Sequence, residues 1–243
     1  MSFFGKSKSK DITFYCFTPL VSLATFFLEF GLALFILFRY KLTLFNKLVI
    51  ATLLCLGTFQ LSEYLICTTS YGDLWIKIGY VAITLLPVLG IHTITLITRK
   101  NNTLIASGYI SAALLIAGII FIPEINFQTS CMPNYVDVKL NNWFIFIHTF
   151  YYALYVLMGV YVLWHSLYKH VGDPKEEKWL LLAYASFIIP SQGLFLLRMI
   201  SNSAIPSVMC GFAVLAAIIL VVVVIPRQAK LELRKSKKKR NRK

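Results

Sequence analysis

Three residues with reactive or polar side chains follow one another at helical spacing inside an apolar stretch. Gln60, Glu63 and Cys67 are separated by three and then four positions, which places them on one face of a helix. A carboxylate within hydrocarbon is costly unless it is protonated or paired with a cation. Glu63 is therefore the residue for which we first expect a role in binding a ligand or a proton.

Other apolar segments carry polar side chains at a similar depth, about one to two helical turns from one membrane face. Cys16 reaches this level in the first segment, and the remaining residues are Tyr80, His148, Gln192, Arg198, Ser207 and Cys210. Polar residues within spans tend to face the bundle interior. The sequence thus predicts a small ligand-binding pocket, open toward the outside, that joins these six residues to Gln60 and Glu63.

Two interpretations of this polar level remain open. Polar side chains in bundles often only bond neighbouring helices, at about 0.6 kcal/mol each, and this reading suits Gln60, Ser207 and Cys210. Glu63 instead needs a proton or a cation, and His148 and Arg198 lie at a compatible depth.

Two further ionisable residues lie deeper in their segments. Glu29 and His92 are candidates for a pair, although a satisfied core histidine is the commoner case. Ligand types suited to zinc occur among the polar residues, but no short ligand spacing supports a metal site. The sequence predicts neither a metal nor a cofactor.

The elements that position these residues are membrane spans. The chain of 243 residues is 58% hydrophobic and 14% charged, with a mean hydropathy of +0.73, whereas soluble domains are about 25% charged. A helix needs about 20 apolar residues to cross a bilayer. We predict an all-α, integral membrane bundle of seven transmembrane helices, at residues 12–38, 45–67, 75–98, 103–123, 143–168, 179–199 and 205–225.

Positive charge is distributed unevenly between the two membrane faces. With seven spans, 18 of the 24 Lys and Arg residues fall on the face that holds the C-terminus, and such loops tend to stay in the cytoplasm. We expect a plasma-membrane protein with its N-terminus outside. Residues 1–226 would form the transmembrane domain, and 227–243 a basic cytoplasmic tail on anionic lipid headgroups. No nucleic-acid partner is expected for a membrane-anchored tail.

Two of the five cysteines fall on the outer face in this topology. Cys67 ends the second span and Cys131 lies in the longest loop, and an outer location permits a disulfide. The sequence predicts that Cys67 and Cys131 pair and hold this loop over the mouth of the bundle.

Several membrane functions leave signatures that this sequence lacks. The seventh span has no lysine for a retinal Schiff base, and no Walker, His-Glu-x-x-His or Gly-x-Ser-x-Gly motif occurs. The spans do not divide into two similar halves, as in repeat-type transporters. Enzymatic activity is thus unsupported. Two alternatives to a binding function stay open: a lipid hydrolase that uses Glu63 and His148 as acid and base, and a structural partner subunit.

Four motifs resemble those of a family of small, uncharacterised multi-pass membrane proteins of microbes. They are Cys16-Phe-Thr-Pro-x-x-Ser, Gln60-x-x-Glu63, Pro87 in the third span and Pro206-Ser207-Val-Met-Cys210. The chain departs from that family's pattern at Met209, where Trp is usual, and at Thr18, where Ser is usual.

The chain also resembles the seven-helix input domain of sensor histidine kinases. Glu63, Gly79-Tyr80, Leu86-Pro87 and His148 carry this likeness. It implies that the N-terminus lies outside and that a ligand is sensed from the outer side. No kinase follows in this chain, so either the signalling partner is a separate protein or signalling is not the role of this chain. We therefore expect a receptor-like or small-ligand-binding module.

Overall fold

The computed structural model describes residues 19–98, 102–122, 125, 127–131, 136–139, 141–169, 173–198, 200 and 204–231. Seven long helices make up most of this part of the chain: α1 (Pro19–Arg39), α2 (Leu44–Thr68), α3 (Gly72–Thr98), α4 (Asn102–Phe121), α5 (Asn142–Lys169), α6 (Pro174–Leu196) and α7 (Ile205–Ile219). A π-helical segment, Leu220–Val224, extends α7, and the helix then continues to Leu231.

All seven helices are long and apolar enough to cross a membrane. This confirms the predicted all-α bundle and fits a multi-pass integral membrane protein in contact with a lipid bilayer. The start of the first predicted span, including Cys16, lies outside the described residues, as does the tail beyond Leu231. The last helix runs past the predicted end at residue 225 and continues through Pro226 to Leu231, because a proline removes one backbone donor without necessarily ending a membrane-spanning helix.

Side-chain caps mark the starts of α2 and α6, which lie just outside the apolar runs. The Thr43 hydroxyl accepts a hydrogen bond of 3.3 Å from the backbone N of Asn46 at the start of α2. Asp173 caps α6 through a 2.9 Å bond from the backbone N of Lys175, and Pro174 occupies the first helical position. These caps explain why α6 begins before residue 179, the predicted start.

The third helix lies at the centre of the bundle. Of its most apolar window, 72% is buried inside the protein, and it packs against α2, α4, α5 and α6. Helix α2 packs on the other side against α1 and α7, which also contact each other. We call the line where α1, α2 and α7 meet the α1–α2–α7 seam.

A short antiparallel sheet lies between α4 and α5 in the chain. Its strands, β1 (Gln128–Cys131) and β2 (Val136–Lys139), pair with Cys131 opposite Val136. The sheet contacts α2 and α3 at the end of the bundle where α2 ends and α3 begins. We call the sheet the β1–β2 ribbon and this end the ribbon end; the opposite end, where α7 finishes, is the tail end. The sequence predicted only a loop here.

Candidate functional site

Glu63 is buried in the α1–α2–α7 seam close to the ribbon end. Its side chain is 4% exposed, and it stands five residues before the end of α2, or about 7.5 Å at 1.5 Å per residue. The Ser22 hydroxyl on α1 donates a hydrogen bond of 3.4 Å to Glu63 Oε2. Within the described part of the chain, Glu63 Oε1 has no hydrogen-bond partner.

A small cavity adjoins the Glu63 carboxyl group. Its volume is about 10 Å³, close to the space that one water molecule needs. The cavity is lined by Phe59, Glu63, Ile66, Ile76, Tyr80, Val136, Val138, Pro206 and Ser207. We call it the Glu63 cavity; its polar side chains come from Glu63, Tyr80 and Ser207, on three different helices.

Other buried polar atoms near Glu63 also lack partners. Among the residues that the structure describes, both side-chain amide atoms of Gln60 make no hydrogen bond, and Ser207 Oγ has the Glu63 carboxyl group as its neighbour. Ser207 is 2% exposed and Gln60 is 0% exposed. Native proteins contain few such atoms, and each costs about 1–3 kcal/mol. Their grouping within about one helical turn of Glu63 marks this part of the seam as a site that can accept further hydrogen bonds.

The β1–β2 ribbon covers the Glu63 cavity. Val136 and Val138 point to the same side of β2, are buried, and line the cavity. A disulfide joins Cys67 to Cys131, the pair that the sequence analysis singled out, with 5.8 Å between their Cα atoms. The pocket was expected to be open at this end; in the structure two apolar side chains lie across it.

His148 belongs to the contact between α3 and α5. Its Nε2 lies 3.0 Å from Thr84 Oγ1, and the Thr84 hydroxyl donates to the Tyr80 carbonyl oxygen over 2.6 Å. The Thr84 hydroxyl has one hydrogen to give, so the two contacts are satisfied together in the tautomer in which His148 Nε2 carries a hydrogen. The ring of His148 also packs on Tyr80, with 5.4 Å between ring centroids. His148 thus touches a residue of the Glu63 cavity, but its hydrogen bond goes to Thr84.

The two predicted site residues on and after α6 lie elsewhere. Gln192 and Arg198 are both exposed, and neither lines the Glu63 cavity. Arg198 has a positive φ of 56° just after α6. In the described residues it forms no ion pair with the buried Glu63, so Arg198 is not the cation partner that its depth had allowed. Depth along a span predicts the level of a side chain but not the direction in which the helix turns it.

A second cavity, of about 90 Å³, lies between α2, α3, α5, α6 and α7. Cys210 is 3% exposed and lines this central cavity rather than the Glu63 cavity. The hydroxyls of Thr52 and Thr93 in its wall bond carbonyl oxygens of their own helices, at 3.0 and 2.8 Å. Because its walls are otherwise mostly apolar, the central cavity resembles sites that stay dry.

Glu29 is a second buried acid in the seam. It is 0% exposed, and neither carboxyl oxygen has a hydrogen-bond partner in the described ranges. Its Oε2 lies 3.7 Å from the position that a Cβ on Gly57 would take, so it packs directly on α2. Glu29 does not pair with His92, whose Nδ1 lies 3.0 Å from the Tyr109 hydroxyl on α4; of the two readings left open, that of a histidine bonded to another partner applies.

Sequence reasoning missed two contributions to the Glu63 cavity. Ser22 is the last residue of the motif that begins at Cys16, and its spacing from Glu29 by seven residues would have placed both on one face of α1. The alternation Val136-Asp137-Val138 is a short strand pattern, and it would have indicated a covering strand.

The resemblances drawn from short motifs have no wider support. Comparison with known proteins finds no family model that matches this chain and no curated protein that is significantly similar to it. The assignment of a function therefore rests on the geometry around Glu63.

Proposed function

We propose that this chain is a receptor-like membrane protein that binds a small polar or cationic group at Glu63. One observation carries the proposal: a carboxyl group that is 4% exposed keeps one oxygen without a partner beside a cavity. A buried charge without a partner is strongly unfavourable, so a bound cation or hydrogen-bond donor stabilises this arrangement.

The lining of the Glu63 cavity defines what such a group would contact. Glu63 Oε1 accepts hydrogen bonds, Ser207 Oγ can donate or accept, and the ring of Tyr80 adds a π face that attracts cations. Anything larger than one water molecule requires Val136 and Val138 to move. The ribbon is bonded to α2 at Cys131, so its other strand, β2, is the strand that we expect to shift on binding.

A route from this site toward the tail end runs through α7. Ser207 is in the first turn of the same helix that continues to Leu231. Near its end, the Arg227 guanidinium lies 5.8 Å from the centre of the Trp179 ring on α6. We propose that ligand contact at Ser207 shifts α7 and thereby acts on a separate signalling partner, with the basic tail resting on anionic lipid headgroups.

The proposed orientation places the ribbon end outside the cell. A disulfide at the ribbon end supports this, because disulfides persist in oxidising compartments, and the positive charge of the tail supports a cytoplasmic C-terminus. A membrane-impermeant biotinylating reagent applied to intact cells tests it: a cysteine introduced at Thr129 should react, and one introduced at Leu231 should react only after the cells are opened.

The geometry favours binding over the alternative of a lipid hydrolase. His148 Nε2 lies 3.0 Å from Thr84 Oγ1 and does not line the Glu63 cavity, so this nitrogen faces the α3–α5 contact and not a substrate at Glu63. Glu63 also lies beneath apolar side chains of the ribbon, where a headgroup and a water molecule would both have to enter.

A thermal-shift experiment tests the binding function. Purified protein in nanodiscs is melted, with tryptophan fluorescence as the readout, in the presence of small amines and other small polar compounds. We expect at least one compound to raise the Tm of the wild type but not that of Glu63→Gln. A Glu29→Gln variant, which removes the other buried acid, should keep the response. A response that persists in Glu63→Gln would show that Glu63 is not the binding residue.

A further inference from the structure

We propose that the central cavity is a second binding site, for a small neutral molecule that is mostly apolar and carries one carbonyl group. This site is separate from the one at Glu63, because no described residue lines both the central cavity and the Glu63 cavity. Its occupant also differs in chemistry from the polar or cationic group proposed at Glu63.

Two tyrosine hydroxyls at the central cavity have no hydrogen-bond partner. Tyr152 on α5 and Tyr184 on α6 both line it, and within the described part of the chain neither hydroxyl makes a hydrogen bond. Tyr152 lies close enough to Tyr184 and Cys210 to interact with them electrostatically. Because a tyrosine hydroxyl away from water usually finds a partner, two of them at one cavity offer hydrogen bonds to a molecule inside it.

Two glycines on neighbouring helices leave room for Tyr184. A Cβ added to Gly90 on α3 would overlap the Tyr184 hydroxyl, and one added to Gly159 on α5 would lie 3.5 Å from it. Phe187, about one turn further along α6, packs on the Tyr184 ring with 5.6 Å between ring centroids. These contacts hold the donor in place before a ligand binds, which lowers the entropic cost of binding.

The volume of the central cavity limits its occupant to about four non-hydrogen atoms. An engineered cavity of about 150 Å³ takes benzene, which corresponds to about 25 Å³ for each carbon atom. The central cavity measures about 90 Å³, which at that ratio leaves space for about four such atoms. Acetone has this size.

The lining favours a neutral carbonyl compound over water or an ion. A buried water molecule needs about two to four polar partners, but the wall is mostly apolar, and the hydroxyls of Thr52 and Thr93 already donate to their own helices. None of the described residues that line the cavity is Asp, Glu, Lys, Arg or His, so an ion would be buried without a counter-charge. Acetone instead packs its methyl groups on apolar walls and accepts a hydrogen bond from Tyr152 or Tyr184.

The depth of the cavity indicates how the ligand arrives and which helix it contacts. Leu56 and Leu86 line the cavity at the middle of α2 and α3, so it lies at the level of the hydrocarbon, where a neutral apolar molecule dissolves. Helix α7 forms one wall as far as Leu220, the first residue of the π-helical segment. Such segments are rare and frequently occur at functional sites. The ligand would therefore contact the helix that also carries Ser207.

The test follows acetone by NMR. Purified protein in nanodiscs is added to acetone labelled with ¹³C at the carbonyl, and the chemical shift of that carbon is recorded against concentration, with empty nanodiscs subtracted. We expect a shift that saturates for the wild type. Ala213→Val adds two methyl groups to the wall and should abolish it, whereas Gly193→Ala adds its methyl group where nothing lies within 4 Å and should respond as the wild type does.

Removal of the hydroxyls tests the assignment of a carbonyl ligand. The double variant Tyr152→Phe with Tyr184→Phe should bind acetone about five- to tenfold more weakly, as expected for the loss of one hydrogen bond. Isobutene has a CH₂ group in place of the carbonyl oxygen, and its binding, followed by its own ¹³C signal, should change less than about twofold.

The outcomes are specific to this cavity. A shift that does not saturate, or that is equally large in Ala213→Val, would overturn the inference, since acetone would then only dissolve in the lipid. Equal acetone binding with and without the two hydroxyls would also overturn it. Should Ala213→Val fail to fold, the double tyrosine variant decides the question, because it keeps the cavity open. Glu63→Gln should bind acetone as the wild type does, and this separates the site from the proposed function.

Discussion

Cys67 near the end of α2 is bonded to Cys131 at the end of β1, directly opposite Val136 in the ribbon. Val136 in turn lines the Glu63 cavity. The disulfide is thus attached directly opposite a residue that covers the buried Glu63. This arrangement couples the position of the ribbon to the environment of Glu63.

Breaking that bond should loosen the ribbon. For Cys131→Ser we expect a loss of about 2–4 kcal/mol in the free energy of unfolding, because the bond closes a segment with a sequence separation of 64 residues. Hydrogen exchange of the ribbon amides, followed by mass spectrometry, should become faster. The control is Cys55→Ser, which removes a cysteine that is free in the structure; an equal effect of both variants would contradict the prediction.

A side chain at Gly90 should clash with the hydroxyl of Tyr184. A Cβ at Gly90 would overlap the Tyr184 hydroxyl oxygen, whereas the next ring atom, Cζ, would be 3.4 Å away in ordinary contact. We expect Gly90→Ala to destabilise the protein by about 1–3 kcal/mol, and Tyr184→Phe to restore most of that loss in the double variant. Thermal unfolding of the four proteins in a double-mutant cycle measures the coupling.

Gly193→Ala is the matched control for this cycle, since nothing lies within 4 Å of the added methyl group. That variant should be neutral or slightly stabilising, because alanine favours helix over glycine. Strictly additive effects of Gly90→Ala and Tyr184→Phe would refute the proposed contact.

The Thr84 hydroxyl should contribute more to the free energy of unfolding than its hydrogen bond within α3 alone would. Its hydroxyl accepts from His148, and its backbone carbonyl accepts a 2.8 Å bond from the Tyr151 hydroxyl. Thr84→Val removes the acceptor for His148 and leaves a buried N–H group unpaired, at a cost of about 1–3 kcal/mol. Thr93→Val, where the lost hydroxyl bonds only Leu89 O of the same helix, should cost less. Equal losses in chemical unfolding would count against the His148 contact.

Filling the central cavity should stabilise the bundle. Ala213 on α7 lines it, and Ala213→Val adds two methyl groups next to the existing space, for which we expect a gain of about 0.5–2 kcal/mol. The control is Ala33→Val on α1, at a residue that is 3% exposed and lies outside the cavity lining; crowding there should destabilise by about 1–3 kcal/mol. A loss of stability in Ala213→Val would mean that the cavity is not accessible to that side chain.

The helices could be predicted because the length of an apolar run decides whether a segment spans a membrane. The start of α6 was predicted too late, because hydropathy does not measure the capping by Asp173 and the proline at the first helical position, Pro174. The β1–β2 ribbon escaped prediction for a related reason. Its strands have four residues each, and so short a segment carries little periodicity.

The site could be predicted only in part. Glu63, Tyr80 and Ser207 do meet at one cavity, while Gln192 and Arg198 turn outward. The depth of each residue follows from counting along the chain, but its direction follows from helix rotation. A span that is apolar on all sides has little hydrophobic asymmetry to indicate that rotation. Close packing between particular residues sets it instead: Gly79 lies so near Ser62 that a Cβ added to the glycine would be 3.1 Å from Ser62 Cβ.

The bond between Cys67 and Cys131 also makes a covalent ring of the backbone between them, and α3 and α4 lie wholly within that ring. Arg99 and Lys100 stand between those two helices. A trypsin cut there would open the ring without releasing a fragment, so the nicked protein would migrate as one chain until a reductant divides it in two.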